Sequence, residues 1–147
     1  MNLPFPENQE AKQRPRATRS HRQFYTPTET KQYEAMVRFI SLEHAKMLTG
    51  PLRVDIIAYF PISKSYSKAK RKRCLSGEEV PTKKPDKDNI EKIILDGLNP
   101  LYKINKLTHH REMWTPGFYK DDRQVIAGET KKLYGEPTRV EVIITEL

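Results

Sequence analysis

The chain contains a single cysteine, Cys74, among its 147 residues. No intrachain disulfide can form, and the expected compartment is a reducing cytosol. Cys74 has basic neighbours that could activate a nucleophile, but an incidental thiol is the simpler reading. Long apolar runs are absent too. None approaches the ~20 residues of a spanning helix, so no membrane-spanning segment is expected. The segment Met1-Asn2-Leu3-Pro4-Phe5-Pro6 lacks the basic-then-apolar order of a signal peptide. Negative charge is in the minority, with Lys and Arg at 27 against 19 Asp and Glu, a formal net charge of +8. That imbalance favours a polyanionic partner, most commonly nucleic acid. The length fits one domain, 1–147, with a modest core. No internal repeat is present.

Residues 1–23 carry prolines and arginines without a helical period and read as an extended arm or edge strand, with 1–12 a candidate flexible arm. Thr26-Pro27-Thr28-Glu29 then starts a helix: Thr26 caps, Pro27 takes the first helical position and Glu29 completes a capping box. Tyr33, Met36, Val37, Ile40, His44, Met47 and Leu48 follow at helical spacing, and Gly50-Pro51 stops the helix. Val54, Ile56, Ala58 and Phe60 alternate as one face of a strand. The basic run Lys64 to Arg73 has no apolar period and reads as a loop or short helix. A second helix runs from near Asp88 to about Leu98, burying Ile90, Ile93, Ile94 and Leu98. Residues 99–118 read as an irregular insertion or flap. Val140, Val142 and Ile144 alternate in a closing strand. The fold class is α+β (mixed α/β), a small mixed sheet packed with two main helices.

The chemistry concentrates in Lys84-Pro85-Asp86-Lys87-Asp88-Asn89-Ile90-Glu91-Lys92 and in Asp121-Asp122. Asp86 and Asp88, two apart in an extended segment, can reach one ion. Unneutralised, they repel one another and hold protons more tightly. A third carboxylate from a distant segment, best supplied by Asp121-Asp122, would complete a Mg²⁺ site that keeps positions for water and a phosphate oxygen. The plainer alternative makes Asp88 an N-cap partnered by Glu91 and leaves Asp86 solvated. An EF-hand loop is excluded, because its required glycine falls on Glu91. Asp88, Lys92 and Asp96 are spaced by four and share a face. Lys92 there can stabilise a developing phosphorane charge, or simply form an ion pair with Asp88 or Asp96 worth ~0.3–0.5 kcal/mol.

Lys64, Lys68, Lys70, Arg71, Lys72 and Arg73, together with Lys83, Lys84, Arg14 and Arg16, are candidate phosphate contacts; the alternatives are a solvated loop or a localisation signal. Tyr66, Trp114 and Tyr119 could stack on unpaired bases, although each taken singly reads as a packing residue. His109-His110 has no partner at zinc spacing and reads as solvated.

Together the motifs Lys84 to Lys92, Leu95-Asp96-Gly97-Leu98-Asn99 and Tyr119-Lys120-Asp121-Asp122-Arg123-Gln124-Val125 resemble the RusA family of Holliday junction resolvases. Arg14-Pro15-Arg16 and Tyr59-Phe60-Pro61-Ile62-Ser63-Lys64-Ser65 add to the resemblance, which spans about Gln13 to the C-terminus. It implies a Mg²⁺-dependent endodeoxyribonuclease (Mn²⁺ a possible substitute) of phage or prophage type. Such an enzyme is a cytoplasmic homodimer that nicks four-way junctions symmetrically in DNA recombination and repair. By position, the implied metal-binding acids are Asp86, Asp88 and Asp122, the catalytic lysine is Lys92, Asp121 is the fallback for Asp122, and Asn89 and Asp96 are supporting residues. The segment between Leu98 and Asp121 is longer than in compact family members, and Gly97 stands where alanine is common. The alternatives are a non-catalytic nucleic-acid-binding protein, or a nuclease for flaps and forks.

Overall fold

The computed structural model describes residues 1–6, 16–17, 24–25, 28–44 and 46–147, with only the backbone of 16, 17, 24 and 25. In chain order the strands and helices are β1 (Asn2–Leu3), β2 (Arg16–Ala17), β3 (Phe24–Tyr25), α1 (Thr28–Ser41), β4 (Leu52–Phe60), α2 (Lys68–Ser76), α3 (Lys87–Leu98), β5 (Leu101–Ile104), β6 (Arg111–Thr115), β7 (Val125–Ala127), β8 (Thr130–Tyr134) and β9 (Arg139–Glu146). The arrangement is α+β, as the hydrophobic periods imply. Thr26 and Pro27, the expected helix start, lie outside the described residues, as does Arg14; of Arg16 only the backbone is described.

β4 is the centre of the mixed sheet. It pairs antiparallel with β9 from Leu52 to Tyr59, and β9 in turn carries β1. On its other edge β4 runs parallel first to β7 and then to β8. Between those two, Gly128 has φ 137°, and a Cβ there would lie 1.8 Å from the Val54 carbonyl oxygen. Only glycine lets the chain cross so close to β4.

The alternation of β4 is complete: Leu52, Val54, Ile56, Ala58 and Phe60 are buried and the residues between are not. α3 lays Ile90, Ile93, Ile94 and Leu98 into the same core. Each fully buried isoleucine contributes about 1.5–3 kcal/mol of transfer free energy. α1 packs on α3 through Tyr33 and Val37. Gly97 sits at that crossing, where an added Cβ would lie 2.7 Å from the Val37 side chain. The small residue at this position therefore permits close helix packing, whatever it costs in helix propensity.

Two expectations need correction. α1 ends at Ser41, not at Gly50. Tertiary pairing overrides the helical period there: Leu48 is drawn into a bridge with Tyr119, its amide donating to the Phe118 carbonyl at 3.0 Å. Met47 adopts φ 47°, which is not helical. Of the two readings of the basic run, a loop or a short helix, the structure holds the helix, α2, whose N-cap Ser67 accepts a bond from the Lys70 amide. Residues 99–118 are not irregular, since β5 and β6 form an antiparallel hairpin. Within the expected arm, residues 1–6 are anchored: Leu3 is buried and the Met1 amino group donates to the Val142 carbonyl at 2.9 Å.

Candidate active site

α3 presents its polar face to a cleft of about 340 Å³ lined by Asp88, Glu91, Lys92, Leu95, Asp96 and Asp122. The α3 residues fall at i, i+3, i+4, i+7 and i+8, one side of a helix. The opposite side is the buried isoleucine face, so burial of one stripe aims the other outward. Asp88 lies in the first turn, where the positive end of the helix dipole favours a carboxylate.

The cap reading of these aspartates is not what the structure holds. Asp86 occupies the N-cap position, and its side chain makes no capping bond. Asp88 is inside the helix. Neither Asp88 nor Lys92 has a hydrogen-bond or ion-pair partner among the described residues, so the i,i+4 pair that could have explained Lys92 is absent. An unpaired amine and carboxylate side by side on one cleft wall are unspent capacity for a ligand.

The C-terminal end of α3 is held by a neighbour. No basic residue stands in its last turn. Arg38, buried on α1, donates to the Asn99 carbonyl at 2.9 Å and the Asp96 carbonyl at 3.1 Å. Cationic capping of this kind suits the negative end of the dipole, although burial lowers the guanidinium's proton affinity, partly offset by Glu34.

The opposite wall is the turn at Asp121–Gln124. The buried Tyr119 hydroxyl donates to the Leu95 carbonyl at 2.7 Å and ties this segment to α3. Burial first, then the charges of Asp122 and Asp121, push its phenol well above the usual range. Gln124 locks the turn, accepting from the Lys120 and Asp121 amides and donating to the Leu48 and Gly50 carbonyls. Asp121 is consumed by this architecture. It accepts from the Arg123 amide at 2.9 Å and from the Arg123 guanidinium at 2.8 and 3.1 Å. The Arg123 side-chain bond chiefly holds its carboxyl down to about 2. Asp122 is the member of the pair that lines the cleft.

Asp88, Lys92, Asp96 and Asp122 are thus brought together, and Asp86 does not line the cleft. Its charged neighbour is Lys132 of β8, whose ammonium burial disfavours and Asp86 supports. Glu91 was missed as a cleft residue. Its carboxylate accepts from the buried Thr130 hydroxyl at 3.1 Å, and its place three residues after Asp88 was the available signal. Asn89 is half-buried on α3.

Among the described residues no three His, Cys, Asp or Glu side chains converge to hold an ion by themselves. The donor set still fits Mg²⁺, which is bound through one or two carboxylates and completed by water and substrate phosphate. Asp88 and Asp122, on facing walls with Lys92 one turn along from Asp88, meet that requirement.

The basic candidates divide. Arg71 pairs with Glu136, Arg73 with Glu79 at 2.9 Å, and Lys70 with Glu79 at 3.9 Å. Lys64, Lys68, Lys72, Lys83 and Lys84 are exposed. Of the stacking candidates, Tyr119 is fully buried and Trp114 is 64% exposed. No helix among the described residues is long and apolar enough to cross a membrane.

The family model described as Endodeoxyribonuclease RusA matches residues 6–105, which takes in α3 and stops short of Asp122. A curated Bacillus subtilis (strain 168) protein, the uncharacterized protein YqaN, is 34% identical over 125 residues, covering 82% of this chain and 77% of that protein.

Proposed function

The chain belongs to the RusA endodeoxyribonuclease family, and on that footing we propose that it is a Mg²⁺-dependent enzyme that resolves Holliday junctions by paired symmetric nicks. The observation that carries this reading is the cleft in which Asp88, Lys92 and Asp122 meet. A nuclease that hydrolyses phosphodiester bonds must manage negative charge from the scissile phosphate in a chain whose own net charge is +8. Carboxylates repel phosphate unless a cation lies between them.

Asp88 and Asp122 would hold the ion, with Asp86 two residues before Asp88 at the N-cap of α3. When bound, the ion supplies a more acidic water and neutralises charge on the phosphate oxygens. Lys92 acts beside it. Its ammonium, without a partner among the described residues, stabilises the charge that develops on the phosphate and the leaving oxygen. Asp96 and Glu91 complete the acidic wall, and Glu91 is oriented by Thr130. Asp121 keeps the turn that presents Asp122. Exposed lysines on and beside α2 hold the DNA backbone, the sequence-independent part of affinity. A homodimer would place two such clefts about a two-fold axis and match a junction of the same symmetry.

The test is cleavage of a labelled four-way junction beside a matched linear duplex, with Mg²⁺ and with EDTA. The expected result is paired symmetric nicks on the junction alone and only with metal. Binding without nicking under any Mg²⁺ or Mn²⁺ condition points instead to an architectural protein. Equal cleavage of both substrates points to an unselective nuclease, and a preference for flaps or forks moves the substrate assignment.

A further inference from the structure

The β5–β6 hairpin takes no part in the chemistry proposed above, and its surface is unusual for a protein exterior. Leu101, Tyr102, Ile104, Leu107, Met113 and Trp114 are all exposed, Leu107 near its tip by 91% and Trp114 by 64%. An isolated two-stranded hairpin is marginal in water, and apolar exposure of this density marks a binding surface. Its cations say what kind. Lys103 Nζ lies 3.4 Å from the centroid of the Trp114 ring, and the Arg111 guanidinium lies 4.1 Å from that of Tyr102. In the ladder Tyr102 and Lys103 are successive residues of β5, so the two cation–aromatic stacks stand on opposite faces. Lys106 adds charge at the tip, against a lone acid, Glu112.

The hairpin is firmly rooted. The Phe118 amide donates to the Leu98 carbonyl at 2.9 Å. Gly117 lies so close to the α3 exit that a Cβ would come within 2.4 Å of the Pro100 nitrogen. One strand leaves the end of α3 and the other returns towards Asp121–Asp122, so the hairpin rises from the two segments that build the cleft. Its base lies about 15 Å along α3 from Asp88, at 1.5 Å per helical residue.

We propose that this hairpin is a second DNA contact, on which unstacked bases at a branch point pack against Trp114 and Tyr102 while Lys103 and Arg111 meet the adjoining phosphates. The inference rests on the reading of the chain as a branched-DNA nuclease. Aromatic faces interleaved with cations are the means by which proteins hold unpaired nucleotides without sequence preference, because every base offers a π-face and every link a charge. A second copy of the chain is a poorer occupant: two hairpins with the same positive excess would repel across a two-fold contact.

Trp114 is the only tryptophan in the chain, so its emission reports on this hairpin alone. The experiment titrates the wild-type protein with a fluorescein-labelled four-way junction in EDTA, following DNA anisotropy and tryptophan emission on the same samples. The expected result is quenching of Trp114 with the midpoint of the anisotropy change. Trp114→Ala should then weaken junction binding about tenfold, as loss of one stacked base does, with a smaller loss on linear duplex and recovery in Trp114→Phe. Anisotropy that titrates while emission stays constant, with Trp114→Ala binding like wild type, overturns the proposal and leaves the nuclease reading standing. Emission that shifts with protein concentration alone and ignores DNA overturns it in favour of a contact between copies. An anisotropy that never changes overturns both readings together.

Discussion

Two acidic segments face each other across the cleft, and they use their carboxylates differently. At the start of α3, Asp86 takes the N-cap position without a capping bond, and Asp88 has no partner among the described residues. At the facing turn, Asp121 is bound twice over by Arg123 and by the backbone, and Asp122 is left to the cleft. Both are pairs of aspartates in a basic chain. A carboxylate's role therefore follows from what the local backbone demands of it. The turn needs an acceptor for its exposed amides and takes one from Asp121; α3 is held by its buried stripe and by Arg38 at its far end, so it makes no such demand on Asp88.

This contrast is tested most severely by Asp88→Asn. Junction cleavage should fall on the order of 10³-fold, the several kcal/mol that a bound metal contributes to the transition state, while junction binding by gel shift stays intact. Normal cleavage by this variant would mean that the unpartnered acid is idle. Next comes the pair across the cleft. Asp122→Asn should lose cleavage to a similar extent with its melting temperature unchanged, whereas Asp121→Asn should lose only about 10–100-fold, the usual cost at a position that acts by orienting another group, and melt at a lower temperature. If the two variants exchange these phenotypes, the division of labour in the turn is inverted. Lys92→Met should cost about 10²-fold in turnover with little change in affinity, the effect of removing one stabilising donor. A loss confined to affinity would move Lys92 to the DNA-holding surface.

More modest changes are expected at the basic residues, where the same division between partnered and unpartnered charge recurs. Lys68→Ala and Lys72→Ala should each flatten the dependence of log affinity on log salt by about one unit for every phosphate the side chain neutralises. Arg73→Ala, already paired with Glu79, should flatten it less. Equal slopes for all three would show that the intramolecular pair opens freely when DNA binds.

Some of this was open to a reader of the residues alone. The buried face of α3 and the alternation of β4 and β9 were legible because their periods, 3.6 and 2, are set by local geometry and reinforced at every turn. The common face of Asp88, Lys92 and Asp96 followed from the same rule, and that rule reached Glu91 as well had it been applied to the i+3 position. The end of α1 was not legible: Met47 and Leu48 fit the helical period, and only pairing with the segment at Tyr119 takes them off it. The hairpin at 101–115 was hidden because its side chains are exposed on both faces, which erases the polar–apolar alternation that normally announces a strand. Trp114 read as a packing residue for the same reason: apolar character predicts burial, and burial is decided by what is available to cover it.

The family, the α+β class, the helix that carries the acids and the positive field around them were all present in the order of the residues, since composition, spacing and period are local quantities that survive without a fold. It took the folded chain to tie Asp121 to Arg123, to leave Lys92 without a partner among the described residues, to press Gly97 against Val37 and to stand a bare aromatic hairpin beyond the end of α3. Apart from the Asp121 pair, each of those depends on groups far away in the chain, and which distant groups meet is settled by the packing of the whole core rather than by the residues adjoining them.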